Sequence, residues 1–181
     1  MAALESRRFK LSIVCITILF LVCETFAATF TGQVVGVIDG DTIEVLHSGQ
    51  AERIRLNGID CPEKGQAYGK KAKQFTSSLV FGKQVIVHPY KQDRHGRTVA
   101  DVFVDETNVS RELLRVGLAW WYRKYSNDLE LERLEQEARL DKRGLWADPN
   151  PVAPWEYRHP NKEETKMLSA ATRASVHDFP P

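Results

Sequence analysis

The chain is 181 residues long, 43% hydrophobic and 27% charged, an ordinary balance for a soluble globular protein. About 130 residues are available to a folded domain, enough to bury a core without a disulfide framework. A formal charge of +1 excludes attraction to a polyanion by net charge alone; any such attraction must come from how the charges are distributed.

Arg7, Arg8 and Lys10 precede an apolar run from Leu11 to Val22 that only Ser12, Cys15 and Thr17 interrupt. The run suits the core of a signal peptide and is short for a bilayer span. Thr25-Phe26-Ala27 ahead of Ala28 resembles a small-residue cleavage site. Residues 1–27 are therefore read as a signal peptide, 28–158 as the folded domain and 159–181 as a polar tail expected to be disordered. Secretion or delivery to the periplasm follows, and an uncleaved leader would instead anchor the protein to a membrane. Loss of the leader makes the remaining chain formally neutral and leaves Cys61 as its one cysteine. One cysteine makes no intramolecular disulfide and no Cys/His metal cluster.

Phe30 to Leu56 reads as a three-stranded meander. Val34, Val35 and Val37 lead into the turn Ile38-Asp-Gly-Asp41, and His47-Ser-Gly-Gln50 separates Thr42–Leu46 from Glu52–Leu56. Residues 68–81 change period: Ala72, Phe75 and Leu79 recur at helical spacing, lysines lie opposite, and Gly82 marks a stop. Val85–Val87 and Thr98–Val104 return to strand, with a polar basic loop from Tyr90 to Arg97 between them. Two helices follow, about Ser110 to Val116 and about Ser126 to Lys142. Leu129, Leu131, Leu134, Ala138 and Leu140 are expected on the apolar side of the second. The order fits an α+β, mainly β, domain: a five-stranded Greek-key barrel of the OB type with about three packed helices. Another α+β sheet fits the same order.

Charge is unevenly placed. Residues 64–97 carry eight bases and one acid, whereas 128–148 carry seven acids and four bases. Such polarity suits a polyanion approaching one side, and equally suits two solvated faces. Within this background stand Asp41 at a strand turn, Arg55, Asp60 and Glu63 in the stretch Arg55-Leu-Asn-Gly-Ile-Asp60-Cys-Pro-Glu63, and Arg97 in the basic loop. Each alone reads as a turn acid or a surface arginine. Adjacent meander strands can bring Asp41 and Asp60 together, and two carboxylates with a carbonyl and waters suit Ca²⁺. Pro62 stiffens the backbone before Glu63, a candidate to activate water. Paired guanidiniums at Arg55 and Arg97 match the oxygens of a phosphodiester. Trp120, Trp121, Tyr122 and Tyr125 form an aromatic group; core packing accounts for most of it, and Tyr125 is the candidate to stack on a nucleotide. His95 is a candidate substrate contact.

Together these motifs resemble the staphylococcal nuclease (thermonuclease) family across about Phe30 to Trp146. The matching stretches are Ile38-Asp-Gly-Asp-Thr-Ile43, Arg55 to Glu63, Asp93-Arg-His-Gly-Arg97 and Val116-Gly-Leu-Ala119. The resemblance implies an OB-fold barrel and Ca²⁺-dependent hydrolysis of DNA and RNA that leaves 3′-phosphates. It implies Asp41, Asp60 and the Cys61 carbonyl as calcium ligands, and Arg55, Glu63 and Arg97 as catalytic residues. No obligate protein partner is implied, and a membrane is involved only if the leader is retained. The segment from Glu63 to Tyr68-Gly69 is shorter than in the family prototype, and Cys61 and His95 replace a threonine and a tyrosine. A barrel that binds nucleic acid or protein without cutting is the competing reading, since fold alone never establishes activity.

Overall fold

A computed structural model describes residues 28–159, so the leader and the tail beyond His159 lie outside the described residues. The expected meander is present as β1 (Phe30–Val37), β2 (Thr42–His47) and β3 (Gln50–Leu56). A two-residue β4 (Ile59–Asp60) follows, then α1 (Gly69–Val80), β5 (Gln84–Gln92) and β6 (Thr98–Val104). The chain continues through β7 (Thr107–Asn108), α2 (Val109–Arg115), β8 (Trp120–Trp121), α3 (Leu129–Leu140), a 3₁₀ turn (Gly144–Ala147) and α4 (Pro154–Arg158).

Strands β3, β2, β1, β5 and β6 lie side by side, and β6 then pairs with β3. The closing pairing is parallel, with Arg55 opposite Val99, and the neighbouring pairs are antiparallel. This is the five-stranded closed barrel of the OB fold. The pleat explains its core: Thr98, Ala100, Val102 and Val104 alternate inward along β6. They meet Val34, Ile43, Val45, Ile54, Leu56, Val85 and Val87. Each fully buried Val, Ile or Leu contributes about 1.5–3 kcal/mol relative to exposure.

Two expectations change. Tyr90, Lys91 and Gln92 belong to β5 rather than to a loop, because the strand carries a register shift between Pro89 and Lys91 and continues pairing as far as Gln92–Thr98. The turn is thus only Asp93–Arg97, closed by the Asp93 N–H donating to the Arg97 carbonyl at 2.9 Å. In α3, Leu129 and Leu140 are exposed rather than apolar-side residues. At 100° per residue both fall roughly opposite Leu131. The buried stripe is Leu131, Leu134, Glu135 and Ala138.

A second, smaller core joins Trp120, Ala138, Leu145, Trp146 and Ala153, with Tyr68 and Trp155 against it. It ties the end of the domain to the barrel. Gln66 reinforces the join by donating from Nε2 to the Val152 carbonyl at 2.5 Å.

Candidate active site

The β1–β2 turn is fastened from two sides. Asp39 Oδ1 accepts the Asp41 N–H at 3.1 Å, and the Gly40 carbonyl accepts the hydroxyl of Thr76 in α1 at 2.6 Å. A Cβ on Gly40 would lie 2.7 Å from Cys61 Cβ, so only glycine allows this approach. The turn directs the Asp41 side chain inward. Its Oδ2 accepts the Cys61 N–H at 2.6 Å, which brings the segment after β4 against the turn. Asp60 is placed by β4, where it pairs with Trp120 of β8. Both carboxylates are buried.

Arg55 joins them. It lies opposite Thr42 in the β2–β3 register, and its guanidinium forks: Nη1 stands 3.0 Å from Asp41 Oδ2 and Nη2 stands 2.9 Å from Asp60 Oδ1. Only 12% of the Arg55 side chain is exposed. Arg97 approaches from the β5–β6 turn. Its Nε donates to Asp93 Oδ2 at 2.8 Å, and its Nη1 donates to Thr42 Oγ1 at 3.3 Å. Thr42 in turn donates to Asp41 Oδ1 at 3.2 Å, so one hydroxyl links Arg97 to the acid pair.

The remaining candidates divide. Glu63 follows Asp60 on the half-buried loop, its N–H donating to Gln66 Oε1 at 3.1 Å. Gly69 lets α1 start against that loop, since a Cβ there would stand 1.9 Å from the Glu63 carbonyl oxygen. Cys61 is buried beside the pair, and burial, with Asp41 adding, pushes its thiol well above the usual range. The thiol therefore stays protonated, and its backbone is what touches the acids. Tyr125 is exposed, edge-on to Tyr122 at 4.7 Å, with the Lys124 ammonium 5.6 Å from its ring. His95 is exposed at the turn, where its ring accepts from Arg94 Nε at 3.1 Å.

Two charged residues were hidden in the sequence. Arg158, in α4, donates from Nη2 to Asp60 Oδ2 at 2.7 Å and from Nη1 to Glu63 Oε1 at 2.5 Å. Its one sequence signal is Pro154-Trp155, a helix start with an aromatic anchor, three residues upstream. Glu135 is fully buried in α3, accepts the Trp121 N–H at 3.1 Å and is flanked by Arg123 and Arg139. It belongs to the inside of the domain rather than to an acidic face.

The electrostatics of the acid pair are set first by burial. Burial pushes the Asp41 carboxyl up to about 7, Arg55 opposes this, and Asp39 and Asp60 add to it. Burial pulls the Arg55 guanidinium down, but Asp41 and Asp60 outweigh it and hold it above its usual value. Among the described residues no three His, Cys, Asp or Glu side chains already form a metal cage. Two buried carboxylates that share one guanidinium nevertheless fit a hard cation, whose other ligands are commonly carbonyls and water.

A pH dependence follows for the metal-free protein. The folded carboxyl of Asp41 keeps its proton up to about 7, whereas the unfolded one loses it near 3.8. The folded state thus binds more protons in this window, and its stability falls as pH rises through it. Each unit of the shift is worth about 1.4 kcal/mol, so the fall amounts to a few kcal/mol at most. Denaturant melts in chelator across this range are expected to show the decline, and Asp41→Asn to flatten it. A wild-type stability that rises from pH 5 to 7.5 would contradict the assignment.

Comparison with known proteins accords with this geometry. A model of the family described as staphylococcal nuclease homologue matches residues 53–148. An "Uncharacterized endonuclease" of Escherichia coli O157:H7 is 49% identical over 133 residues, covering 73% of this chain and 87% of the relative. A "Micrococcal nuclease" of Shigella flexneri is 40% identical over 149 residues, covering 76% of this chain and 86% of the relative. A barrel closed through the strand that bears Arg55, together with these matches, shows that the chain belongs to the staphylococcal nuclease homologue family.

Proposed function

We propose that the protein is an exported, calcium-dependent nuclease that hydrolyses phosphodiester bonds of DNA and RNA and leaves 3′-phosphate ends. The observation that carries this reading is the Arg55 fork between buried Asp41 and Asp60, with Arg97 joined to the same pair through Thr42. Asp41, Asp60 and the Cys61 carbonyl would hold calcium, which would polarise a phosphoryl oxygen and stabilise the charge that grows as water attacks. The guanidinium N–H groups of Arg55 and Arg97 that are not committed to Asp41, Asp60, Asp93 or Thr42 would bond the non-bridging oxygens of that phosphate. Because both are fixed before reaction, they favour the transition state more than the substrate. Glu63 takes the proton of the attacking water. Tyr125, with lysines near its ring, offers a face on which a base stacks, and His95 sits on the turn beside Arg94 as a further contact.

Export rests on residues 1–27, and mass measurement of the protein recovered outside the cytoplasm tests cleavage near Ala27. The activity is tested by incubating the protein from Ala28 onward with single-stranded DNA or RNA, in calcium or in chelator. Cleavage in calcium alone, with 3′ ends that a phosphatase makes extendable, is the expected result. Binding without cleavage would establish the non-catalytic reading instead.

Calcium also reports on the site without turnover. An ion bound by the folded protein alone stabilises it by about 2.7 kcal/mol at 100 times its dissociation constant. Addition of calcium is expected to raise the melting temperature of the wild type and to leave Asp60→Asn unmoved. Equal shifts in both would place the ion elsewhere.

A further inference from the structure

The residue with the densest set of ionic contacts to Asp60 and Glu63 is neither of the expected arginines but Arg158. Its Nη2 is 2.7 Å from Asp60 Oδ2, its Nη1 is 3.3 Å from Asp60 Oδ1, and the same Nη1 is 2.5 Å from Glu63 Oε1. With Arg55 also on Oδ1, both oxygens of Asp60 are engaged by guanidiniums. A divalent cation that draws on Asp60 must compete with one of them. Arg55 is held in the barrel with 12% of its side chain exposed, whereas Arg158 is 36% exposed on a five-residue helix. Arg158 is therefore the one able to leave.

The fold gives it somewhere to go. Trp155, one turn earlier, stacks on Tyr122 at 5.4 Å with the rings 7° apart, and meets Trp120 edge-on at 5.5 Å. Trp120 is the β8 partner of Asp60, so α4 is keyed to the short strand that carries the acid. Arg158 also lines an open cleft of about 700 Å³, with Arg94, Arg123, Lys124, Tyr122 and Trp155 among its walls. Cations interleaved with aromatic faces are what a single-stranded nucleic acid requires: phosphates to the former, bases to the latter.

We propose that Arg158 is a third arginine of the nuclease site: it pairs with Asp60 and Glu63 in the metal-free protein and turns into the adjoining cleft to hold a nucleic-acid phosphate once a cation takes Asp60. The inference rests on the functional reading above and adds a residue to it. It makes cation and nucleic acid cooperative, because each favours the same displaced arginine. It also frees Glu63 to act on water only when the cation is in place. Side-chain hydrogen bonds to Asp60, against partial burial, hold the Arg158 guanidinium above its usual value, so it remains charged in either position.

Calorimetric titration of calcium into the protein from Ala28 onward, without nucleic acid, tests the first half. Arg158→Gln removes the competitor and is expected to bind calcium roughly five- to thirty-fold more tightly, within the ordinary range of coupling between sites. Arg158→Lys, which keeps the charge, is expected to fall between the two and serves as the comparison if the glutamine variant misfolds by circular dichroism. The second half is tested with a single-stranded phosphorothioate oligonucleotide that resists hydrolysis. Arg158→Gln is expected to weaken its binding about tenfold in calcium and to change it little in chelator. Unchanged or weaker calcium binding in the variants would overturn the proposal, as would undiminished oligonucleotide binding in calcium. If the wild type itself bound no calcium, the calcium-dependent reading would fall with it. If the wild type bound calcium and cleaved while Arg158→Gln matched it throughout, this inference alone would fail.

Discussion

Arg55→Met is expected to abolish calcium-dependent cleavage and to destabilise the metal-free protein by about 3–5 kcal/mol, the usual result of removing one partner from a buried ionic group. Arg55 lies between two buried acids, 3.0 Å from Asp41 and 2.9 Å from Asp60, and its Nη1 also donates to the Leu56 carbonyl at 3.2 Å. Without it, two carboxylates lose their shared counter-ion, and Asp41, whose carboxyl burial already raises, shifts further toward its neutral form. Arg55→Lys separates the two roles. An ammonium restores positive charge but cannot place two parallel donors on two acids or on a phosphate. Stability is expected to recover in large part, while kcat/KM stays lower than wild type by about 10²–10³, the loss typical of removing a preorganised donor. Urea melts in chelator, paired with initial rates in calcium, measure both. Wild-type stability in Arg55→Met would refute the counter-ion role, and near wild-type rates in Arg55→Lys would refute the phosphate clamp. Calcium is expected to return part of the stability to Arg55→Met, since it supplies positive charge between the two acids, of which only Asp60 keeps a guanidinium, that of Arg158.

The sequence was informative where local rules and topology agree. Asp-Gly and Ser-Gly turns between β-branched runs defined the meander, and the meander alone places Asp41 near Arg55, because β2 and β3 pair Thr42 with Arg55. The alternation of β6 was equally plain, and it filled the barrel. Other features depend on contacts far apart in the chain. Arg158 reaches an acid 98 residues away because α4 docks through the second core and the stack of Trp155 on Tyr122, and no local period encodes that packing. Glu135 looked like one of several helix-surface acids. Its burial follows from the phase of α3 against β8, where the Trp121 N–H needs an acceptor. Leu129 and Leu140 show the converse: hydrophobic identity does not fix position, and both lie across the helix from the buried stripe. The site is thus a mixture: its acids and Arg55 are set by neighbouring strands, its outer wall by the tertiary docking of α4.

Arg97→Lys is expected to lose activity on the scale of Arg55→Lys, about 10²–10³ in kcat/KM, with little change in stability. The chemistry at the two positions is the same, and burial makes the difference. Arg97 is 25% exposed, paired with Asp93 on the same turn, and touches the acid pair only through the Thr42 hydroxyl at 3.3 Å. Lysine there leaves no buried carboxylate without a counter-ion, so the fold has little to lose. The turn retains its own bonds, with Asp93 Oδ1 accepting the N–H groups of His95 at 2.8 Å and Arg97 at 3.0 Å. These bonds outweigh the effect of burial and hold the Asp93 carboxyl below its usual value, so it remains an acceptor under the assay conditions. Asp93→Asn keeps that turn while removing the charge from the Arg97 partner. It is therefore expected to lose much less activity than Arg97→Lys, because the guanidinium survives and only its restraint is loosened. Rates and melting temperatures of the two variants, measured together, decide the matter. If Asp93→Asn were as inactive as Arg97→Lys, the decisive property of Arg97 would be its tethering; if Arg97→Lys unfolded the protein, Arg97 would be a second structural counter-ion and the separation of roles drawn from burial would be wrong.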